Sequence, residues 1–144
     1  MEKIEESATI NASPDQVYAW MSDLANWPTF VGEYTNVVGD PIQVGGEWDV
    51  ISRVLGLKLT THFVRKQQEA AQWVKIQMQG DVSGEMTIRY EAVGEGQTRL
   101  SESLECVPRK GLFGGVANAV IGKAVASELS RTVQAVKRGM ESGS

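Results

Sequence analysis

The middle of the chain, from residue 34 to residue 107, is divided into short segments by glycine-containing turn signals at nearly even spacing. The turn signals are Gly39-Asp40-Pro41, Gly45-Gly46, Leu55-Gly56-Leu57, Gly80-Asp81 and Gly94-Glu95-Gly96. The segments between them are Tyr34–Val38, Glu47–Val54, Lys58–Lys66, Gln72–Met78, Ser83–Val93 and Thr98–Val107. Evenly spaced segments of this length are typical of an antiparallel meander. The pattern therefore predicts six consecutive antiparallel strands.

The tail of the chain predicts one long amphipathic helix that covers this sheet. Several strand segments alternate between apolar and polar side chains, so one broad face of the sheet needs a cover. After Pro108 and a glycine-rich stretch, apolar residues recur at helical spacing up to about Met140. They are Val116 or Ala117, Val120, Ala124, Val125, Leu129, Val133, Val136 and Met140. A helix of about 25 residues is roughly 38 Å long, which is enough to lie along a whole curved sheet.

The N-terminal region predicts a strand followed by a capped helix. Ile4, Ala8 and Ile10 share one parity, which indicates a half-buried strand. The run Ser13-Pro14-Asp15-Gln16 is a strong helix start, because a serine cap followed three residues later by glutamine can form a capping box. Pro28 interrupts the helical pattern that follows, so we expect a bend or a second short helix around it.

Composition limits the classes of function. A chain of 144 residues predicts one domain, residues 1–144, with an ordinary hydrophobic core. Fourteen basic and eighteen acidic residues give a net charge of −4, which argues against a nucleic-acid-binding domain. One cysteine, Cys106, and one histidine, His62, exclude a disulfide framework and a histidine-rich metal site. We therefore predict no metal, no cofactor and no nucleic-acid partner.

No stretch predicts a targeting signal or a membrane span. The charged N-terminus does not lead into the apolar run of a signal peptide. The most apolar stretch, from Leu112 to Ala126, contains Lys123 and is shorter than the about 20 residues needed to cross a bilayer. The tail helix carries few basic residues, so we expect it to dock only weakly on a membrane surface. These observations predict a cytoplasmic protein without stable membrane insertion, and they leave the oligomeric state undecided.

Three sequence features carry a resemblance to a known family. The first is Asn11-Ala12-Ser13-Pro14 at the start of a helix, followed by Asp23-Leu24 and then Trp27-Pro28. The second is Val44-Gly45-Gly46-Glu47-Trp48, which leads into a central strand. The third is Gly96-Gln97-Thr98-Arg99-Leu100, which belongs to the last hairpin. The chain thereby resembles the SRPBCC superfamily, also called START-like or birch-pollen-allergen-like, and in particular its small bacterial members described as polyketide cyclase/dehydrase-like. The resemblance covers nearly the whole chain. It implies an α+β helix-grip fold: a curved antiparallel sheet of about seven strands wraps around a long C-terminal helix, with one or two short helices after the first strand.

The resemblance also implies a cavity between the sheet and the C-terminal helix that binds a hydrophobic small molecule. Such pockets are mostly apolar, with a few oriented polar groups. The candidate lining residues on the strands are Trp48, Val50, Ser52, Leu59, Thr61, Phe63, Met86, Ile88, Tyr90, Glu102 and Leu104. Those in the tail are Phe113, Val116, Ala117, Val120 and Ile121, and Phe30 is expected near the mouth. The alternative is that these side chains simply fill the core of a helix-on-sheet domain.

Few polar residues invite a functional interpretation. Glu102 shares the parity of its apolar neighbours on the last strand, so we expect it to point inward, where an apolar environment raises the pKa of a carboxyl; the alternative is an edge-strand glutamate in solvent. His62 is expected to point away from the face of Leu59. Arg53 and Arg65 are expected at the surface; they could anchor an acidic ligand head only if a bulge turns them inward. We assign no catalytic residue.

The glycines around the start of the tail helix allow two interpretations. Gly111, Gly114 and Gly115 precede the helix, and Gly122 lies inside it, where glycine costs about 0.5–1 kcal/mol relative to alanine. One interpretation is a loop that opens for ligand entry. The other is a kink or a close approach of the helix to the sheet.

Three functions remain open from the sequence. The first is binding or transport of a hydrophobic small molecule such as a lipid, an isoprenoid or a polyketide, which requires only the cavity. The second is a polyketide cyclase or dehydratase, which requires an acid–base pair deep in the pocket. The residues available for that pair are Glu102, Tyr90, Ser52, Thr61 and His62. The third is a protein-interaction module that uses the same groove, and side chains filling the cavity would favour it.

Overall fold

A computed structural model describes residues 3–142 of the chain. The elements in order are β1 (Lys3–Ile10), α1 (Pro14–Met21), a 3₁₀ turn (Leu24–Asn26), α2 (Trp27–Phe30), β2 (Glu33–Val38), β3 (Glu47–Val54), β4 (Leu57–Glu69), β5 (Trp73–Gly80), β6 (Val82–Gly94), β7 (Gln97–Pro108) and α3 (Asn118–Ser142). All six strands expected in the middle of the chain are present, and the N-terminal strand is the seventh. The predicted helix-grip fold is therefore confirmed.

The seven strands form one antiparallel sheet in the order β1-β7-β6-β5-β4-β3-β2. Strands β2 to β7 follow one another as a meander, and β1 adds to the far edge by pairing with β7. The register sets large apolar side chains opposite each other on the inner face: Trp48 is opposite Phe63, and Met86 is opposite Leu104. This face needs a cover because its side chains are mostly apolar.

Helix α1 begins as the sequence predicts and packs closely against α3. The Gln16 backbone N–H donates to the Ser13 hydroxyl at 3.3 Å, and the Ser13 N–H donates to the Gln16 side-chain oxygen at 2.9 Å, which completes the capping box. A Cβ at Gly139 of α3 would lie 2.7 Å from the ring of Trp20. The absence of a side chain at position 139 therefore allows α1 to pack directly on α3.

A cluster of aromatic rings fixes α2 over one end of the sheet. The ring of Trp27 lies 5.0 Å from that of Trp48 and 5.2 Å from that of Tyr34, both in edge-to-face geometry. The indole Nε1 of Trp27 donates to the Met21 carbonyl at 2.9 Å. The residues around Pro28 thus form a second short helix, and this helix closes one end of the space under the sheet.

The two halves of α3 differ in their burial. The buried residues of the helix, Leu129, Val133, Ala135 and Val136, all lie in its C-terminal half. The N-terminal half, residues 118–128, contains no fully buried side chain. The helix therefore seals the sheet at its C-terminal end and leaves open space beneath its N-terminal end. Within residues 3–142, no helix is long and apolar enough to cross a membrane.

Candidate functional site

A cavity of about 530 Å³ lies between the inner face of the sheet and α3. Its walls come mainly from β3 to β7 and from α3 between Asn118 and Thr132, and residues of α2 and of the segment 107–113 complete the lining. Fourteen of the seventeen residues predicted from the sequence line it. They are Phe30, Trp48, Val50, Ser52, Leu59, Thr61, Phe63, Met86, Ile88, Tyr90, Glu102, Leu104, Phe113 and Ile121. Strand parity alone selects most of these residues, because alternate side chains share one face.

Three residues of the predicted set do not line the cavity. Val116 and Ala117 lie in the loop before α3, which begins at Asn118, and they do not line the cavity. Val120 is 48% exposed on the solvent side of the first helical turn. Phe30 lines the cavity and is buried against Trp27, and its place near the mouth stays a prediction.

The glycines of the loop before α3 provide turns. Gly111 and Gly114 have φ values of 80° and 57°, a region that glycine enters at no steric cost. A Cβ at either position would have no atom within 4 Å, so these residues do not serve a close approach of the backbone to the sheet. Gly122 lies on α3 and lines the cavity. Opening of this loop for a ligand stays a prediction.

Glu102 points into the cavity, as its parity predicts. Its side chain is 2% exposed, and its cross-strand neighbours are Ile88 on β6 and Glu6 on β1. No group in residues 3–142 makes a hydrogen bond or ion pair with its carboxyl group. Burial without such a partner disfavours the charged form and raises the pKa of Glu102 to about 7. The carboxyl can therefore hold or release a proton near neutral pH.

Tyr90 supplies a second polar group on the neighbouring strand. Burial raises the pKa of its phenol well above the ordinary value, so the hydroxyl stays neutral. Its ring packs edge to face on Tyr18 at 5.4 Å between centroids. The Tyr90 hydroxyl can thus donate a hydrogen bond within the cavity.

The prediction that Arg65 lies at the surface is wrong. Arg65 is 7% exposed and lines the cavity. Its Nε donates to the Pro41 carbonyl at 2.7 Å, its Nη1 donates to the Gln68 side-chain oxygen at 3.0 Å, and the guanidinium lies 5.8 Å from the ring centre of Trp48. Burial lowers the pKa of Arg65, yet a guanidinium keeps its charge. Strand parity does predict this inward position, because Arg65 shares the parity of Leu59, Thr61 and Phe63.

The outer face of the sheet carries a separate charged cluster around His62, which points away from the cavity as expected. Its Nδ1 lies 2.6 Å from Asp49 Oδ1, and its Nε2 lies 2.7 Å from Glu47 Oε1. These hydrogen bonds, that to Asp49 first, raise the pKa of His62. The pKa of Asp49 is lowered by its hydrogen bonds from Asn36 and His62. Because His62 is on the other face, it cannot act on a molecule in the cavity.

The cavity therefore combines a large apolar wall with three buried polar groups of different character, and the ion pair of Glu128 and Arg131 on α3 also lines it. Arg65 is a cation, Tyr90 a neutral donor, and Glu102 a carboxyl that titrates near neutrality. Ser52 and Thr61 add hydroxyl groups on β3 and β4. Cys106 also lines the wall, and burial raises the pKa of its thiol, which keeps it protonated and unreactive. Among residues 3–142, no cluster of three or more His, Cys, Asp or Glu side chains is arranged to hold a metal ion.

Comparisons with known proteins agree with this architecture. No curated protein matches the sequence significantly. A protein of Thermus thermophilus is similar in structure, with a TM-score of 0.78 and 16% identity over 99% of both chains. The Zhui aromatase/cyclase of Streptomyces sp. R1128 has a TM-score of 0.78 and 15% identity over 97% of this chain and 93% of its own. A START superfamily protein from Mycobacterium smegmatis has a TM-score of 0.77 and 14% identity over 99% of both chains.

At these identities the solved structures show the fold alone. The family model described as polyketide cyclase / dehydrase and lipid transport matches residues 1–141, nearly the whole chain. That match agrees with the resemblance carried by the helix start, the strand entry and the last hairpin. The chain belongs to the polyketide cyclase/dehydrase and lipid transport family.

Proposed function

We propose that the protein binds or carries a small, mostly apolar molecule with one oxygen-bearing end in the cavity under α3. The observation that carries the proposal is a space of about 530 Å³ with an apolar wall into which Arg65, Tyr90 and Glu102 project. Ligand pockets commonly enclose about 300–1,000 Å³ and combine an apolar surface with a few placed polar groups. The size and the lining both fit that description.

The polar groups define the end of the ligand that would face them. The polar groups that border the cavity can form further hydrogen bonds, so a ligand that supplies partners for them is favoured. Arg65 and Tyr90 donate hydrogen bonds, and Glu102 donates while it is protonated. Oxygen acceptors such as a carbonyl, a hydroxyl or a carboxylate would satisfy these donors. A lipid, an isoprenoid or a polyketide chain with such an end matches this chemistry.

The open cavity also separates this proposal from the protein-interaction alternative. Side chains that filled the space would favour a module that binds only through its surface. A space of about 530 Å³ between the sheet and α3 is instead unfilled by side chains. Small-molecule binding is therefore the better-supported function.

A cavity-filling variant with a matched control tests the proposal. Native mass spectrometry of the purified protein detects any co-purified molecule, and a fatty acid carrying a fluorescent dansyl group measures binding. Val50→Trp fills the cavity from β3, whereas Ile51→Trp places the same ring on the outer face of the same strand. We expect the first change to weaken probe binding at least about tenfold, or about 1.4 kcal/mol, and the second to alter it less than about twofold.

The proposal is wrong if no organic molecule co-purifies and the probe binds equally well to wild type and Val50→Trp. Unfolding temperature is measured for both variants. If Val50→Trp does not fold, Ser52→Phe fills the same wall with a smaller ring and replaces it.

One observation favours a second candidate, a cyclase or dehydratase. Glu102, with a pKa of about 7, and Tyr90 lie on neighbouring strands and line the same cavity. A carboxyl with a pKa near the working pH is suited to general acid–base catalysis. Turnover of a linear poly-β-ketone thioester that Glu102→Gln abolishes, while probe binding persists, would identify the enzyme.

A further inference from the structure

One end of the molecule concentrates the positive charge of an otherwise acidic chain. This basic end consists of residues 53–59, 80–82 and 107–124. It holds five of the chain's 14 basic residues but only one of its 18 acidic residues, which leaves nine basic and seventeen acidic residues elsewhere. The five are Arg53, Lys58, Arg109, Lys110 and Lys123, all exposed. The tail helix contributes only one of them, so the charge is assembled from segments that are distant in sequence.

Contacts between these segments bring them together. The Asp81 carboxylate accepts from the Thr60 N–H at 2.8 Å and pairs with Arg109 Nε at 3.2 Å, which joins the β5–β6 turn to β4 and to the residues after β7. Phe113 packs with Val54 and Leu59 beside the β3–β4 turn. The single acidic residue of the basic end is therefore already neutralised by an internal partner.

A cross-strand pair of like charges lies within the basic end. Arg53 on β3 is directly opposite Lys58 on β4. Like charges in this position destabilise a sheet. Neither side chain has an ion-pair partner within residues 3–142. No ion pair within the fold therefore offsets the repulsion between Arg53 and Lys58. An anionic surface outside the chain would offset it.

Exposed aliphatic side chains accompany these charges. The described residues include ten large hydrophobic side chains that are exposed, and five of them lie at the basic end. They are Leu55, Leu57, Val107, Val116 and Val120, which are 39–51% exposed. They project from a hairpin turn, a strand end, a loop and the first turn of α3. These apolar side chains lie on separate segments and are surrounded by Lys and Arg. Such a surface is suited to bind a flat partner that has an anionic outer layer and an apolar interior.

We propose that the basic end is a membrane-docking surface, which binds an anionic lipid bilayer reversibly through its Lys and Arg side chains while the aliphatic tips enter the headgroup region. Lys and Arg near an anionic leaflet are attracted to it, and the attraction falls off within a Debye length. The cavity reaches the same end, because the exposed residues Val107 and Asn118 line it. Docking would therefore present the cavity to molecules dissolved in the bilayer. The docking itself goes beyond the ligand-binding proposal and does not require it.

Vesicle sedimentation of the full chain tests the docking. We expect the protein to sediment with phosphatidylcholine vesicles that contain about 30% phosphatidylserine, and not with phosphatidylcholine alone. Raising the salt from about 50 mM to about 500 mM should release it, because salt screens exposed charges. The variant Arg53→Glu/Lys58→Glu should weaken binding at least about tenfold. Leu55→Ser/Val120→Ser should weaken it at low salt without changing its salt dependence.

The control carries the same change of charge on another part of the sheet. Lys66→Glu/Arg89→Glu reverses two exposed cations of β4 and β6 outside the basic end, and we expect binding within about twofold of wild type. An equal loss in both double variants would overturn the proposal, because net charge rather than this surface would then control binding. Failure of wild type to sediment with anionic vesicles would also overturn it. If the same residues instead bind an acidic protein such as an acyl carrier, the occupant proposed here is wrong.

Discussion

The two faces of the sheet shift the pKa of a carboxyl group in opposite directions. On the outer face, His62 is held between Glu47 and Asp49, and each of its ring nitrogens contacts a carboxylate. On the inner face, Glu102 lies in an apolar space without a hydrogen-bond partner among residues 3–142. The outer arrangement lowers the pKa of Asp49, and the inner one raises that of Glu102. The same type of group is thus stabilised as a charge on one face and as a neutral acid on the other.

This difference separates groups that serve the fold from groups that do not. The outer cluster is satisfied by its own members, so folding accounts for it without any ligand. The inner carboxyl gains no compensating hydrogen bond and weakens the fold whenever it ionises. Such a residue is expected where binding or chemistry, rather than stability, requires a polar group. The comparison can be tested by changing one face at a time.

The largest effect is expected from the apolar part of the inner face. Trp48 is 3% exposed and contacts the rings of Trp27 and Phe63, whereas its neighbour Asp49 points outward. Trp48→Ala should lower the free energy of unfolding by about 3–5 kcal/mol, because it removes a buried ring and leaves a void. Asp49→Ala should lower it by about 1 kcal/mol, as expected for a partly exposed ion pair. Urea denaturation measures both, and similar losses would contradict the comparison.

Replacement of Glu102 should have the next largest effect on the free energy of unfolding, and it should raise rather than lower that free energy. The pKa of its carboxyl rises from 4.5 to about 7 on folding, so between these values the folded state binds more protons and stability falls as the pH rises. The full loss, about 3 kcal/mol, is reached above pH 7. Glu102→Gln should remove this loss, so the variant is more stable than wild type at pH 8 by about that amount and gains nothing near pH 4. Urea denaturation at both pH values measures the difference.

Another glutamate on the same strand provides the control for that measurement. Glu105 is exposed on the outer side of β7, so Glu105→Gln should leave the pH profile within about 0.5 kcal/mol of wild type. Glu6 on β1 is the cross-strand neighbour of Glu102 and is left unchanged in both variants. If Glu102→Gln follows the wild-type curve from pH 4 to pH 8, the carboxyl reaches solvent and the proposed cost of burial is wrong.

Local patterns predict much of the fold, because each acts over a few residues. Glycine turns set the strand boundaries, the Ser13–Gln16 capping box sets the start of α1, and strand parity places Glu102 inside. The charge of Arg65 predicts the surface, but its strand parity predicts the inner face, and the structure follows the parity. A buried arginine is tolerated there since the Pro41 carbonyl and the ring of Trp48 surround it. Those contacts bridge segments that no local pattern connects.

Local patterns predict neither the first residue of α3 nor the clustering of cations at the basic end, because both depend on contacts between distant segments. Val116 and Ala117 keep helical spacing, yet the chain there is a loop whose path is set by Phe113 packing on Val54 and Leu59. These partners are more than fifty residues away in the sequence. The volume of the cavity and the clustering of distant cations likewise depend on the whole topology. Both the volume and the clustering can be determined only from the assembled fold.

The smallest effect is expected on the outer face, at His62. Its raised pKa means that its contribution to stability is complete below 6.5, the pKa of an ordinary histidine, and is lost as the pH rises through the folded value. Because the side chain is 34% exposed, His62→Gln should cost less than about 1 kcal/mol at pH 6 and nothing well above the folded pKa. His62 is the only histidine, so one imidazole resonance in a proton NMR titration reports its pKa directly.

The two carboxylates should contribute unequally to that pKa. The hydrogen bond with Asp49 is the larger cause of the shift, and the Asp49 side chain is 19% exposed against 38% for Glu47. Asp49→Asn should therefore lower the pKa of His62 more than Glu47→Gln does, because a less exposed charge is less screened by water. Neither change should alter binding of the dansyl fatty acid, since both residues lie outside the cavity. An equal shift in the two variants would show that solvent screens both pairs alike, and altered probe binding would show that the two faces are not independent.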